Sequence, residues 1–198
     1  ARVPVMMCFL LSAMTIQAAP VKWEISSLTF ADGGSGSGYF VFDADTEAVS
    51  DWKIDVIGGT TTELPAIQYN VNNSSGGIIA QPAWTDEKVI QFEITIGGRQ
   101  LRISPVSSLT NSGGSIAIDT QTGLNGAGGV ECLNCTPFRL ITGGMLRSDL
   151  DNDGVVDTED YYPNDPTRSA MPVPVMSALG LLLLAGLLSL LGFRRLRV

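Results

Sequence analysis

The stretch IQFEITIGGRQLRI, residues 90–103, predicts a β-hairpin. Apolar residues occupy every even position from Ile90 to Ile96 and alternate with polar ones. Successive side chains of a strand point to opposite faces, so a period of two indicates one face in a core and one in water. Two glycines, Gly97 and Gly98, then permit a tight turn into a second apolar pair at 101 and 103.

The same alternation recurs along the chain, most clearly in DWKIDV at residues 51–56. Clusters of small polar residues at 33–38 and 72–77 predict turns or loops. Seven or eight short strands without a long amphipathic helix predict a mainly β fold, an antiparallel β-sandwich or jelly roll over residues 20–145. The further candidate strands are Trp23–Phe30, Gly38–Phe42, Ala66–Val71, Ser115–Asp119 and Thr136–Ile141.

The charge is distributed unevenly. Pro20 to Ser169 contains 20 acidic and 8 basic side chains, a net charge of −12, within a chain whose total is −8. Such a surface repels nucleic acid and anionic lipid and attracts cations. The chain has no histidine, which removes the commonest general base and metal ligand.

The N-terminal residues 1–19, ARVPVMMCFLLSAMTIQAA, have the pattern of a secretory signal peptide. Arg2 precedes an apolar core, and small residues at 18 and 19 suit a cleavage site. The alternative is an uncleaved membrane anchor. Either interpretation places the following domain outside the cytoplasm.

An aspartate-rich loop, DLDNDGVVDTED at residues 149–160, predicts a calcium site. Carboxylates stand at loop positions 1, 3, 5, 9 and 12 with a glycine at 6, the spacing of an EF-hand loop. Calcium takes oxygen ligands, and alternate side chains converge on it only where the backbone bends. The alternative is a solvated acidic linker. The predicted ligands are Asp149, Asp151, Asp153, Asp157 and Asp160 with the backbone carbonyl of Val155.

The flanks of this loop differ from an EF-hand, because Pro163 and Pro166 oppose a helix after Asp160. The whole run DxDxDGxxDxxDxxPxDP resembles a single thrombospondin type 3 repeat. The resemblance implies calcium bound by the aspartates of the loop, within a loop-rich spacer over residues 146–170.

The pair Cys132 and Cys135 is spaced CxxC. A thioredoxin-type redox centre needs a helix there, which Pro137 and the preceding glycines oppose. Zinc needs about four ligands, and two thiols without histidine are too few. A local disulfide in an exported protein is the simplest interpretation, and it is the one we adopt.

The tail, residues 171–198, predicts a transmembrane helix. Ala170 to Phe193 is a run of 24 uncharged residues, followed by Arg194, Arg195 and Arg197. About 20 apolar residues in a helix cross a bilayer core, and arginines favour its cytoplasmic side. The alternatives are a sorting signal that is processed and a plain anchor that is not.

Pro172 and Pro174, the apolar helix and the arginine cluster, in that order, resemble PEP-CTERM and IPTL-CTERM sorting tails of bacterial exported proteins. The resemblance implies processing by an exosortase-like membrane enzyme. The opening W…F-x-D-G-G…G-x-F-x-x-D-A pattern, from Trp23 to Ala44, resembles short exported bacterial proteins that often carry such tails.

These features together predict an exported protein, tethered to the membrane or sorted to the cell surface. Its β domain would be a non-catalytic binding or structural module on a calcium-binding spacer, with the lipid bilayer and a surface polysaccharide or matrix as partners. The alternative is a secreted hydrolase that acts on polysaccharide through two carboxylates, for instance Asp55 and Glu93. A serine triad of the usual form is excluded, because the chain contains no histidine.

Overall fold

The structure is a computed structural model that describes residues 18–80, 88–120 and 129–171. The described residues form ten strands and no helix. In chain order the strands are β1 (Val21–Phe30), β2 (Ser35–Asp43), β3 (Ala48–Ile57), β4 (Ile67–Asn70), β5 (Ser74–Ala80), β6 (Lys88–Ile94), β7 (Arg99–Ile103), β8 (Ser115–Ala117), β9 (Val130–Leu133) and β10 (Phe138–Asp149).

All ten strands belong to one antiparallel sheet, in the order β4-β3-β2-β1-β10-β9-β7-β6-β5, with β8 also paired to β10. β10 joins the two halves of the sheet. Its first residues, Phe138 to Leu140, pair with β9, whereas Met145 to Arg147 pair with β8. Between them lies Gly144, where a Cβ would approach the Ile118 Cδ1 atom to 2.7 Å. A glycine there lets the strand pass from one half to the other against a packed core.

The two halves of the sheet face each other across one hydrophobic core. The Phe92 ring of β6 lies 5.9 Å from the Phe40 ring of β2 and 5.8 Å from the Trp52 ring of β3, centroid to centroid. The Trp52 indole N–H also donates to the Ser74 hydroxyl of β5 at 2.9 Å. β3, the neighbour of the edge strand β4, therefore contacts the opposite edge strand β5 through side chains, and the sheet is nearly closed.

The predicted mainly β, antiparallel fold is confirmed. In the described ranges, 18–80, 88–120 and 129–171, no helix has the length and the apolar character that a bilayer crossing requires. The predicted transmembrane helix falls almost wholly on residues 172–198, and the predicted signal peptide on residues 1–17, so both lie outside the described residues.

The predicted loop at residues 72–77 is wrong, because Ser74 begins β5. Gly76 is small for a packing reason, since a Cβ there would lie 3.1 Å from the Trp52 ring. The loop predicted at 33–38 is also too long, because β2 starts at Ser35. β9, at Val130–Leu133, was not predicted at all.

Candidate metal centre

The aspartate loop begins inside the sheet. Asp149 is the last residue of β10 and lies opposite Lys22 of β1 in the register. Its side chain is almost fully buried, with 1% of the residue exposed. A carboxylate in that position loses its hydration, so it requires partners that replace water.

Three carboxylates of the loop converge. Asp149, Asp151 and Asp153 each offer an oxygen, and these oxygens all lie within 4.8 Å of one another. The backbone produces this convergence by bending at Asn152, with φ of 60°, and at Gly154, with φ of 96°. Glycine adopts the left-handed conformation without steric cost, and asparagine tolerates it better than most residues.

Backbone N–H groups hold the three carboxylates in place. The Asp153 N–H donates to Asp151 Oδ1 at 3.2 Å, and the Val155 N–H donates to Asp153 Oδ1 at 2.8 Å. The Gly154 N–H donates to Asp149 Oδ2 at 3.1 Å. Each carboxylate therefore has its orientation fixed by the loop itself.

Other oxygens of the same loop are buried without a hydrogen-bond partner in the described protein. They are Asp149 Oδ1, Asp151 Oδ2 and Asp160 Oδ2. Leaving a buried acceptor unpaired costs about 1–3 kcal/mol, and more when the group is charged. A cation bound among the converging carboxylates would satisfy Asp149 Oδ1 and Asp151 Oδ2, and hard oxygen donors of this kind suit calcium.

The environment of Asp151 shows the same crowding of negative charge. Burial, together with the charges of Asp153, Asp160 and Asp149, raises the pKa of the Asp151 carboxyl, although the hydrogen bond from the Asp153 N–H opposes this. The predicted ligand Asp160 therefore lies within electrostatic reach of Asp151. A divalent cation would relieve this repulsion.

Asp157 has a different environment from the other predicted ligands. Its Oδ1 accepts the Leu150 N–H at 2.8 Å, and its Oδ2 contacts the Ser148 hydroxyl. Its own N–H donates to the Ser148 carbonyl at 2.8 Å. In this arrangement Asp157 fastens the loop to β10.

The two valines of the loop are also distinct in role. Val156 is buried, with 6% exposed. The Val155 carbonyl stays a prediction as the sixth ligand.

Lys22 lies beside the carboxylates. Its ammonium is 2.8 Å from Asp149 Oδ2 and 3.0 Å from Glu24 Oε1. Burial lowers the pKa of Lys22, but hydrogen bonds and charges from Asp149 and Glu24 outweigh it, so that the pKa is raised. No local pattern predicts this neighbour, because Lys22 is 127 residues from Asp149 in the chain.

A second group of charges lies inside the sheet, and we call it the internal charge cluster: Asp32, Tyr69, Arg99, Glu131 and Arg139. Glu131 is at its centre and is fully buried. Its Oε1 accepts the Tyr69 hydroxyl at 2.7 Å and the Arg99 Nε–H at 2.9 Å. Its Oε2 accepts the Arg139 Nε–H at 2.7 Å. The cluster thus joins β4, β7, β9 and β10.

Asp32 completes this cluster at the turn between β1 and β2. The Arg139 Nη1 atom lies 3.1 Å from Asp32 Oδ2, and its guanidinium stacks 4.3 Å from the Phe30 ring centre. Burial raises the pKa of Asp32, but hydrogen bonds from Gly34, Thr61 and Arg139 outweigh it and lower the pKa to about 2. Asp32 is therefore a structural anion.

The structure pairs the sulfur atoms of Cys132 and Cys135 in a disulfide, in agreement with the predicted local bridge. The pair closes the turn between β9 and β10, where Asn134 and Cys135 have positive φ. The sorting residues Pro172, Pro174, Arg194, Arg195 and Arg197 lie outside the described residues.

Asp55 and Glu93, the carboxylates named for a hydrolase, do not share a cleft. Their chain neighbours Ile54 and Phe92 belong to the common core. Because side chains alternate along a strand, Asp55 and Glu93 point away from that core on opposite sides. Asp55 accepts a hydrogen bond from Gln68 at 2.6 Å and Glu93 accepts one from Gln91 at 3.0 Å.

Comparison of the chain with protein-family models, with curated protein sequences and with solved structures finds no match.

Proposed function

We propose that this chain is a non-catalytic, calcium-binding β protein that is exported and tethered to the membrane or sorted to the cell surface. The observation that carries the calcium assignment is the set of unpartnered buried oxygens on Asp149, Asp151 and Asp160. They adjoin the convergent cluster of Asp149, Asp151 and Asp153. The spacing that resembles a thrombospondin type 3 repeat supports the same assignment.

The chemistry of the donor set favours calcium over transition metals. The cluster offers carboxylate oxygens, with no histidine in the chain and with both described cysteines in a disulfide. Calcium takes 6 to 8 oxygen ligands in flexible geometry, whereas zinc prefers nitrogen and sulfur. Asp149, Asp151, Asp153 and Asp160 would hold the ion, which would supply a charged crosslink between the end of β10 and the loop.

The calcium assignment is tested by Asp151→Asn. The substitution keeps the shape of the side chain and removes one negative charge of the cluster, so we expect calcium affinity to fall about tenfold or more. The measurement is isothermal titration of the full chain in mild detergent with calcium chloride. Asp165→Asn is the matched control, because the Asp165 carboxylate accepts hydrogen bonds from Thr167 rather than facing the cluster. The absence of calcium binding by the unsubstituted chain at millimolar concentration would refute the assignment.

The export and tethering part of the proposal rests on the terminal sequences. The uncharged run from Ala170 to Phe193 and the arginines after it suit a bilayer, and the resemblance to PEP-CTERM and IPTL-CTERM tails suggests an exosortase-like processing enzyme. The acidic outer part would then present its surface to a polysaccharide or matrix.

Deletion of residues 172–198 tests the tether. We expect the full chain to sediment with membranes or the cell surface and the shortened chain to appear in the soluble exported fraction. Immunoblots of the fractions measure this. A shortened chain that still fractionates with the envelope would show that the tail is not the tether.

A further inference from the structure

The position of the Lys22 ammonium is fixed by three elements of the fold. The register of β1 and β10 places Lys22 directly opposite Asp149, and the side chain is only 14% exposed. The ammonium contacts Asp149 Oδ2 at 2.8 Å and Glu24 Oε1 at 3.0 Å. It also lies 5.5 Å from the centre of the Tyr39 ring on β2. A lysine held in this way cannot leave the site as freely as a surface lysine.

The Lys22 ammonium contacts Asp149, which is also a carboxylate of the candidate calcium site. Asp149 offers Oδ2 to Lys22 and to the Gly154 N–H, while its Oδ1 is buried without a partner. An ion bound at Oδ1 would therefore be separated from the ammonium by one carboxylate group. Like charges at such separations repel strongly where the effective dielectric constant is below that of water.

The ammonium also lowers the negative charge available to the ion. Asp149, Asp151 and Asp153 carry three negative charges, and Lys22 offsets one of them at close range. Ligand charge count is one of the two factors that set the affinity of calcium loops. Glu24 offsets this effect only in part, because its side chain is 34% exposed and water screens its charge, whereas Asp149 is buried.

We propose that Lys22 sets the calcium affinity of the aspartate loop and holds it low. The proposal rests on the calcium function proposed above and adds its regulation. A loop weakened in this way would respond to calcium at the concentrations found outside cells, where modules bind with dissociation constants of about 10⁻⁴–10⁻³ M.

The test is calcium titration of the full chain carrying Lys22→Gln, with Lys22→Arg and Lys53→Gln as controls. We expect K22Q to bind calcium about tenfold more tightly, because it removes the repelling charge. K22R keeps that charge and should stay close to the unsubstituted affinity. K53Q makes the same change of net charge on an exposed site of β3, so it should also leave the affinity unchanged.

Thermal unfolding of each variant in EDTA shows whether the change in affinity comes from a disturbed fold. Unchanged or weaker binding by a folded K22Q would overturn the role of Lys22 and instead indicate that it positions Asp149. That result would leave the calcium function intact wherever the unsubstituted chain binds and D151N does not. Absence of binding by both the unsubstituted chain and K22Q would overturn both proposals.

Discussion

At the scale of single residues, Glu131 illustrates how this fold buries charge. A carboxylate removed from water costs several kcal/mol unless ion pairs and hydrogen bonds replace its hydration. Glu131 receives all of them from its neighbours, since Arg99 and Arg139 supply the charge and Tyr69 a hydroxyl. The burial in turn raises the pKa of Tyr69, and the charge of Glu131 adds to that shift. The Tyr69 hydroxyl therefore stays protonated and available as a donor.

Replacement of Glu131 by Gln tests this dependence. The amide keeps the shape but leaves the buried Arg99 guanidinium without its counter-ion and Arg139 with Asp32 alone, so we expect the free energy of unfolding to fall by about 3–5 kcal/mol. Urea denaturation of the full chain, followed by tryptophan fluorescence, measures the change.

Glu93→Gln is the control for the same chemical change on the outer face of β6. Glu93 accepts a hydrogen bond from Gln91 and has no described salt bridge, so the substitution should change stability by less than about 0.5 kcal/mol. Equal effects of the two substitutions would show that the internal charge cluster contributes nothing special to stability.

At the scale of elements, the sequence predicts strands wherever one face is apolar. The alternation in residues 51–56 and 90–94 identifies β3 and β6, because each lies on the core with every second side chain. The pattern continues to Ile96, but that residue follows the end of β6 and is 89% exposed. Alternation does not predict β5, because a glycine interrupts the apolar pattern of this strand. That glycine, Gly76, makes room for the Trp52 ring of a strand in the opposite half of the sheet. This is a tertiary contact, so it cannot be predicted from the pattern of neighbouring residues in the sequence.

In the candidate metal centre, too, one part can be predicted from the local sequence and another part cannot. The spacing of aspartates within twelve residues was enough to predict that Asp149, Asp151 and Asp153 converge, because local backbone turns bring them together. Lys22 and the internal charge cluster depend on strand pairing between distant parts of the chain. Their partners are therefore visible only once the register of the sheet is known.

At the scale of the whole molecule, the aspartate loop is continuous with the β domain. Asp157 contacts the Ser148 hydroxyl, and that hydroxyl accepts the Gly114 N–H at 2.7 Å beside β8. On the outer face, Arg147 of β10 forms an ion pair with Glu159. The loop is thus attached to the central strand at several points, rather than following it as a separate spacer.

This attachment predicts that calcium stabilises the entire sheet. A ligand at a hundred times its dissociation constant adds about 2.7 kcal/mol to the stability of the unit that binds it. For a domain of this size that corresponds to roughly 5–10 °C in melting temperature. Circular dichroism reports the sheet, and the fluorescence of the buried Trp23 and Trp52 reports the core. We expect both signals to shift together when calcium replaces EDTA, and to shift by about half as much or less in D151N, which binds about tenfold or more weakly. A chain that binds calcium in titration while its sheet melts at an unchanged temperature would show that the loop folds independently, because binding energy is shared only within one cooperative unit.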